Sequence, residues 1–236
     1  MKNKTKLKDG DHVWEEWGRG YYFEDNIYPG ISSILSKTMP ESKKKALASW
    51  RARVGDAVAE EICNDARSTG TRWHNFLDSF AKKDYISAQR ILFPDTDVQE
   101  YYAQAKTFLL KFTATTSDVL TELPIYSYQY GYAGTFDCMV TAGGKKVLLD
   151  WKTSIKKKKR EWIDDYFLQV AAYAHALEET KDIVVDRASI VIFYSFQEPD
   201  IYKLSKDDLT EQFEIFKERL KMFYELFPSS SENKGI

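Results

Sequence analysis

The chain has 236 residues, with 34 Lys and Arg against 36 Asp and Glu, a formal net charge of −2 and a pI near 6.0. Its 43% apolar and 15% aromatic content excludes intrinsic disorder and is enough to close a sizeable core. The balanced charge excludes a global basic signal, and Cys63 and Cys138, without a Cys-x-x-Cys, exclude a disulfide framework and a cysteine-held zinc or iron–sulfur cluster.

Residues 1–30 mix charges, glycines and aromatics without steady periodicity, which predicts an irregular arm ending at Tyr28-Pro29-Gly30. The start, MKNKTKLKDGDH, is basic but has no apolar segment, and no stretch approaches the roughly 20 apolar residues that span a bilayer. No membrane partner is expected. From 31 to about 81 the pattern is helical, punctuated by Met39-Pro40, Gly55 and Gly70, and a second helical run covers about 97–113. Residues 119–130, 132–142 and 145–153 are rich in β-branched and aromatic side chains and separated by glycine-containing turns, which predicts three antiparallel strands. An amphipathic helix over 164–180, a buried strand over 188–195 and an edge strand over 201–204 follow. In the tail, Ser205 stands three residues ahead of Asp208 like a capping box, and Leu209, Phe213, Phe216, Leu220 and Phe223 mark a closing helix. This order predicts an α/β fold: one compact body with a mixed central β-sheet, a helical lobe over 31–115 and a sheet core over 116–228.

Gly143-Gly144 between two strands is a two-residue hairpin signal, because both glycines tolerate positive φ. Pairing Ala142 with Lys145 places Asp137 opposite Asp150, and Lys152 two positions on shares their face. Phe136, Cys138, Val140, Val147, Leu149 and Trp151 fall on the other. Opposed carboxylates destabilise a sheet unless something positive lies between them, and a hard divalent cation is the natural candidate. A solvated Asp150–Lys152 ion pair is the plainer alternative.

Gly134-Thr135-Phe136-Asp137, then Leu149-Asp150-Trp151-Lys152-Thr153-Ser154, then Gln169-x-x-x-Tyr173, with Gly70-Thr71-Arg72-Trp73-His74 upstream, resemble in order the motifs of the PD-(D/E)XK nuclease superfamily, in its RecB-like exonuclease branch. Tyr28-Pro29-Gly30-Ile31-Ser32-Ser33-Ile34-Leu35 is similar to the mitochondrial genome maintenance exonuclease type within it. Phe136 departs from the pattern in place of the namesake proline. The resemblance implies an αβββαβ restriction-endonuclease-like core, with Mg²⁺ as cofactor and Mn²⁺ as substitute. It implies His74, Asp137, Asp150 and the Trp151 carbonyl as metal ligands, and Lys152, Gln169 and Tyr173 as catalytic partners. Glu122, at the start of the first strand, is a further carboxylate. His74 would project from the first turn of a helix opened by Gly70-Thr71, whereas His12 and His175 read as structural.

Residues 37–53 carry six basic side chains, Lys37, Lys43, Lys44, Lys45, Arg51 and Arg53, against one acid, Glu41, and Lys156, Lys157, Lys158, Lys159 and Arg160 follow the Asp150/Lys152 strand. Flanking a metal-site candidate, these runs fit a sequence-independent grip on phosphates, although a solvated face is the ordinary reading of such runs. Arg72, Thr153 and Ser154 adjoin the same motifs. Trp50, Trp73, Trp17, Tyr21 and Tyr22 are candidates for stacking on bases of a single strand. The expected activity is a metal-dependent DNA exonuclease preferring single-stranded ends, with an endonuclease or a catalytically silent nucleic-acid-binding module as alternatives. The amino terminus lacks the Arg-rich, acid-poor character of a transit peptide, which points to the cytoplasm of a bacterium or phage-infected cell rather than to mitochondria.

Overall fold

The computed structural model describes residues 7–228, so the first six residues of the basic start lie outside the described residues. The arm is not irregular. Residues His12–Glu15 (β1), Gly18–Phe23 (β2) and Asn26–Pro29 (β3) form a three-stranded antiparallel sheet. Its second hairpin turns through Glu24 and Asp25, both at positive φ (48° and 62°), where the usual sequence signal would be Asn-Gly. Asp9 Oδ1 accepts from the Glu24 N–H at 3.0 Å and holds that turn, a contact no local pattern reveals. The small sheet is stabilised from outside, by Tyr21, Phe23 and Tyr28 packing on Tyr126 and Ala133.

The helical lobe comprises Ile31–Lys37 (α1), Glu41–Val54 (α2), Asp56–Ala81 (α3), Tyr85–Leu92 (α4) and Thr96–Thr115 (α5). Gly70 does not open a helix; it lies inside α3. A helical glycine costs about 1 kcal/mol, and a Cβ at Gly70 would meet Thr153 Oγ1 at 3.4 Å, an ordinary van der Waals contact, so the space there does not demand glycine. The short α4, absent from the expected elements, is capped by Asp84, whose carboxylate accepts from the Ser87 N–H at 3.1 Å.

The large sheet runs Ser117–Ser127 (β4), Tyr132–Ala142 (β5), Lys145–Thr153 (β6), Arg187–Phe193 (β7) and Asp200–Ser205 (β8), paired in that order. All pairs are antiparallel except β6 and β7, which Asp164–Lys181 (α6) connects as a crossover, and Lys206–Leu226 (α7) closes the chain. The mixed α/β class and the αβββαβ order, α5 through β7, are therefore present. The Ser205–Asp208 capping box is formed in full.

Two apolar layers sandwich the sheet. On one side Trp73, Phe76, Tyr101, Leu109 and Phe112 of α3 and α5 pack on Cys138, Val140, Leu149, Trp151 and Phe193. On the other, α1, α6 and α7 cover Phe136, Met139, Leu148, Ile190 and Ile192. Arg219 of α7 is buried and donates to Thr38 Oγ1 (2.7 Å), Leu35 O (2.6 Å) and Asp165 Oδ1 (3.1 Å), so one guanidinium joins α7 to α1 and α6. Buried without these partners it would cost several kcal/mol. The described helices include none long and apolar enough to cross a membrane.

Candidate active site

Gly143 and Gly144 adopt φ of 58° and 73° and set the pairing Ala142↔Lys145, which runs back to Cys138↔Leu149. There the ladder between β5 and β6 ends, while β6 stays paired with β7 as far as Thr153↔Phe193 and β5 with β4 on to Tyr132↔Ser127. The two strands thus part where Asp137 and Asp150 stand. Asp137 does not face Asp150 within a closed ladder: its Oδ2 accepts the Trp151 N–H at 2.6 Å, replacing the missing main-chain acceptor. Level with it on β4, Glu122 sits at φ 50°. Side-chain alternation breaks at this level, so Phe136 packs with Met139 under α6 instead of with Cys138 and Trp151 as strict period two requires.

This distortion gathers polar groups from three elements. His74 of α3 places Nδ1 3.6 Å from Asp137 Oδ1 and 3.9 Å from Glu122 Oε1, and ligand atoms of the three residues lie within 4.8 Å of one another. Burial pulls the His74 pKa down, but the Asp137 carboxylate and Glu122 outweigh it and hold the imidazole above its ordinary value. One imidazole and two carboxylates form a donor set that could hold a divalent cation.

Asp150 is 1% exposed, and Lys152 Nζ lies 2.7 Å from Oδ1 and 2.6 Å from Oδ2. Burial raises the Asp150 pKa; Lys152 opposes that rise and the Asp137 charge adds to it. The ammonium also sits 5.1 Å over the Tyr166 ring. Trp151 contributes its backbone here as a donor, through the bond to Asp137, and its indole belongs to the core under α3 and α5.

On α6, Gln169 Nε2 donates to the Tyr173 hydroxyl at 2.7 Å. Tyr173 is seated by Gly134, where a Cβ would stand 2.6 Å from its ring carbon Cε1 and 3.1 Å from Ile31 Cδ1. Gly134→Ala should therefore push the ring from its place. The expected result is a loss of about 1–3 kcal/mol in stability from overpacking, measured by denaturant titration, with altered Tyr173 environment by near-UV circular dichroism.

These groups open into a cleft of about 620 Å³. Thr71, His74 and Asn75 of α3 form one side, Glu122, Thr135 and Asp137 another, Lys152, Gln169 and Tyr173 a third, and His12, Arg19 and Tyr21 of the arm complete it. Arg19 and Asn75 carry no signal in a linear reading, Arg19 because only the docking of the arm brings it here, whereas Thr135 belongs to the same strand motif as Asp137. His12, read as structural, also lines the cleft, packed edge-on against Tyr21 at 4.8 Å.

The basic candidates scatter. Lys43 lies 3.4 Å from Asp165 and Lys44 2.8 Å from Glu41, whereas Lys45 is exposed and Trp50 half-buried. Arg51 is engaged by Asp56 at 3.0 Å and Glu60 at 3.8 Å, and Arg72 by Asp97 at 2.7 Å and by Asp95. Both arginines are part-exposed and ion-paired, Arg51 to acids at the start of the next helix and Arg72 to acids at the start of α5. Residues 41–67 hold six basic and five acidic side chains, which dilutes the basic run on α2. Thr153 adjoins Gly70, and Ser154 Oγ donates to Lys156 O at 2.6 Å, which shapes the start of the lysine loop. In that loop Lys156 is exposed, Lys157 reaches Asp200 at 4.0 Å, Lys159 lies over Trp162, and burial lowers the Lys158 pKa. Trp17 and Trp73 are core residues, and Tyr22 donates to Asp25.

No family model matches the chain. It is 25% identical over 159 residues to Mitochondrial genome maintenance exonuclease 1 of Homo sapiens, covering 64% of this chain and 44% of that protein. It is 28% identical over 162 residues to the Mus musculus protein of the same name (64% and 45%), and 25% over 191 residues to that of Xenopus tropicalis (75% and 52%). The chain spans about half the length of the curated relatives it matches. Among solved structures, a protein of Eubacterium rectale described as an exonuclease candidate aligns with a TM-score of 0.46 and 13% identity, covering 70% of this chain and 69% of that one.

Proposed function

We propose that this chain is a metal-dependent DNA exonuclease of the PD-(D/E)XK type that hydrolyses phosphodiester bonds from single-stranded ends, with Mg²⁺ as its ion and Mn²⁺ as a substitute. The observation that carries the reading is the convergence of His74, Glu122 and Asp137 beside the Asp150–Lys152 pair in one cleft. Relatives named as exonucleases support it.

In this reading Asp137, Glu122 and neutral His74 would hold the ion, and the buried Asp150 would add negative charge nearby. The bound ion supplies Lewis-acid polarisation of the scissile phosphate and lowers the pKa of a water. Lys152 holds the attacking water by donation, and Asp150 keeps the ammonium charged and fixed in place. Asp137 keeps β6 in register with the site through the Trp151 N–H. Gln169 fixes the Tyr173 hydroxyl at the cleft wall, where it can donate to a phosphate oxygen. The exposed Lys45 on α2 and Lys156 beyond β6 provide outer phosphate contacts. The cleft is lined by the arm, α3, the sheet and α6, and the relatives are named exonucleases, which is why a free end is proposed as the entry point.

The test uses end-labelled linear and covalently closed circular single-stranded DNA with Mg²⁺, Mn²⁺ or EDTA. The linear strand should be degraded progressively in either metal and spared in EDTA, and the circle should survive at high enzyme. Cleavage of closed circles would establish an endonuclease instead, and binding without cleavage in any metal would establish a silent module.

A further inference from the structure

Four arginines elsewhere in the fold are paired with carboxylates: Arg51 with Asp56 and Glu60, Arg72 with Asp95 and Asp97, Arg160 with Asp164, and Arg219 with Asp165. Arg19 differs. Its guanidinium contacts are neutral, Ser32 Oγ at 3.3 Å and the face of Tyr21 at 5.6 Å, and it lines the same cleft as His74, Asp137 and Lys152.

The main chain at Arg19 is held firmly. Its carbonyl accepts from Ser33 Oγ at 2.9 Å and from the Gly30 N–H at 3.0 Å, both where α1 begins. Gly30 is the residue that permits this approach, because a Cβ there would stand 2.7 Å from that oxygen. A planar, permanently charged group with unspent donors, fixed at its root and facing a cleft that also holds a metal-ligand cluster, matches the chemistry of a phosphate diester.

We infer that Arg19 is a phosphate-binding residue of the cleft, gripping a backbone phosphate beside the one cleaved, and that the β1–β3 sheet exists to present it. The inference rests on the nuclease reading for the identity of the ligand and adds to it a contact from the arm, in the cleft that Lys152 also lines. Arg19 acts on ground-state binding and positioning of the strand, and Lys152 acts at the bond that breaks. Arm and sheet core then work as one substrate-binding unit, with Gly30 as the joint between them.

Fluorescence anisotropy with a labelled 12-nucleotide single strand in EDTA, across a range of salt, compares wild type with Arg19→Gln and Arg19→Lys. Arg19→Gln should weaken binding by about ten-fold or more, the scale of a lost charge-assisted contact. The slope of log affinity against log salt should become shallower by about 0.7, one counterion fewer for single-stranded nucleic acid. Arg19→Lys should keep the wild-type slope. In cleavage assays with Mg²⁺, Arg19→Gln should raise KM about ten-fold with kcat changed far less. Strands with a 5′-phosphate, a 3′-phosphate or hydroxyl ends separate the two sources of the ligand: equal loss on all three marks an internal diester, the expected result, and loss confined to one phosphorylated end marks a terminal monoester. Unchanged affinity and salt slope in a folded Arg19→Gln protein overturns the inference. Gly30→Ala, which displaces the Arg19 carbonyl while keeping the guanidinium, should reproduce the binding loss in part; wild-type binding there would remove the arm's presenting role. A wild-type protein that binds DNA through Arg19 yet never cleaves it fails the nuclease reading and leaves the phosphate contact standing.

Discussion

Replacing Asp137 by asparagine should lower metal-dependent cleavage by about a thousand-fold or more while leaving the fold intact, because the amide keeps the size and an acceptor but loses the charge. Asp137 is the one carboxylate that touches each part of the site. It accepts from the Trp151 N–H, lies 3.6 Å from His74 Nδ1, and its charge bears on both Asp150 and Lys152. The asparagine oxygen can still accept from Trp151, so β6 should remain in place and the far-UV spectrum unchanged. Single-turnover rates at saturating Mg²⁺ test the loss, and isothermal titration with Mn²⁺ tests its cause. Retained turnover with unaltered Mn²⁺ binding would remove Asp137 from the reaction and the cluster with it.

Lys152→Ala should have two effects of different origin. Turnover should fall by about 10²–10³-fold, the scale of losing one preorganised donor at a reacting centre, with much smaller change in DNA affinity because Lys152 is one cation among several along the strand. Stability should fall as well. Asp150 is 1% exposed, and removing its partner leaves a buried carboxylate uncompensated, a loss of about 3–5 kcal/mol, or roughly 6–20 °C in melting temperature for a chain of this size. The double variant Asp150→Asn with Lys152→Ala should recover most of that stability and none of the activity. A double variant as unstable as the single one would mean that packing around the lysine stem, and not the orphaned charge, sets the loss. The sign with pH is also determined. In Lys152→Ala the Asp150 carboxyl loses the cation that opposed its raised pKa, so the destabilisation should be largest at neutral pH and shrink as acid protonates the buried group.

Both expectations depend on a break in the sheet that only three-dimensional packing creates. Local sequence determined a great deal around it. The Gly143-Gly144 turn carries its own backbone requirement, and from it the β5–β6 register follows as far as Cys138↔Leu149. The Ser205–Asp208 box and the apolar spacing behind it determine α7, and the alternating apolar runs determine β5 and β6. These are interactions between residues near in sequence, so their signature is printed where they act.

Other features are decided by partners far along the chain. The arm reads as irregular because its strands are short and its second turn uses Glu24-Asp25, yet Tyr126 and Ala133, a hundred residues away, supply the surface that makes it a sheet. Gly70 reads as a helix boundary because a Cβ-less residue weakens a helix, yet α3 runs through it, held by Trp73, Phe76 and Leu77 packing on the sheet. Arg72 reads as a free cation until α5 sets Asp95 and Asp97 against it. The candidate site shows the same division. The motif order marked Asp137, Asp150, Lys152 and His74, but the strands part at that level, so Glu122, the faintest of the sequence signals, joins His74 and Asp137, while Asp150 is turned to hold Lys152. Period two identifies which side chains can share a face; where a face opens into a cleft is set by the ending of a hydrogen-bond ladder, and that depends on what packs above and below it.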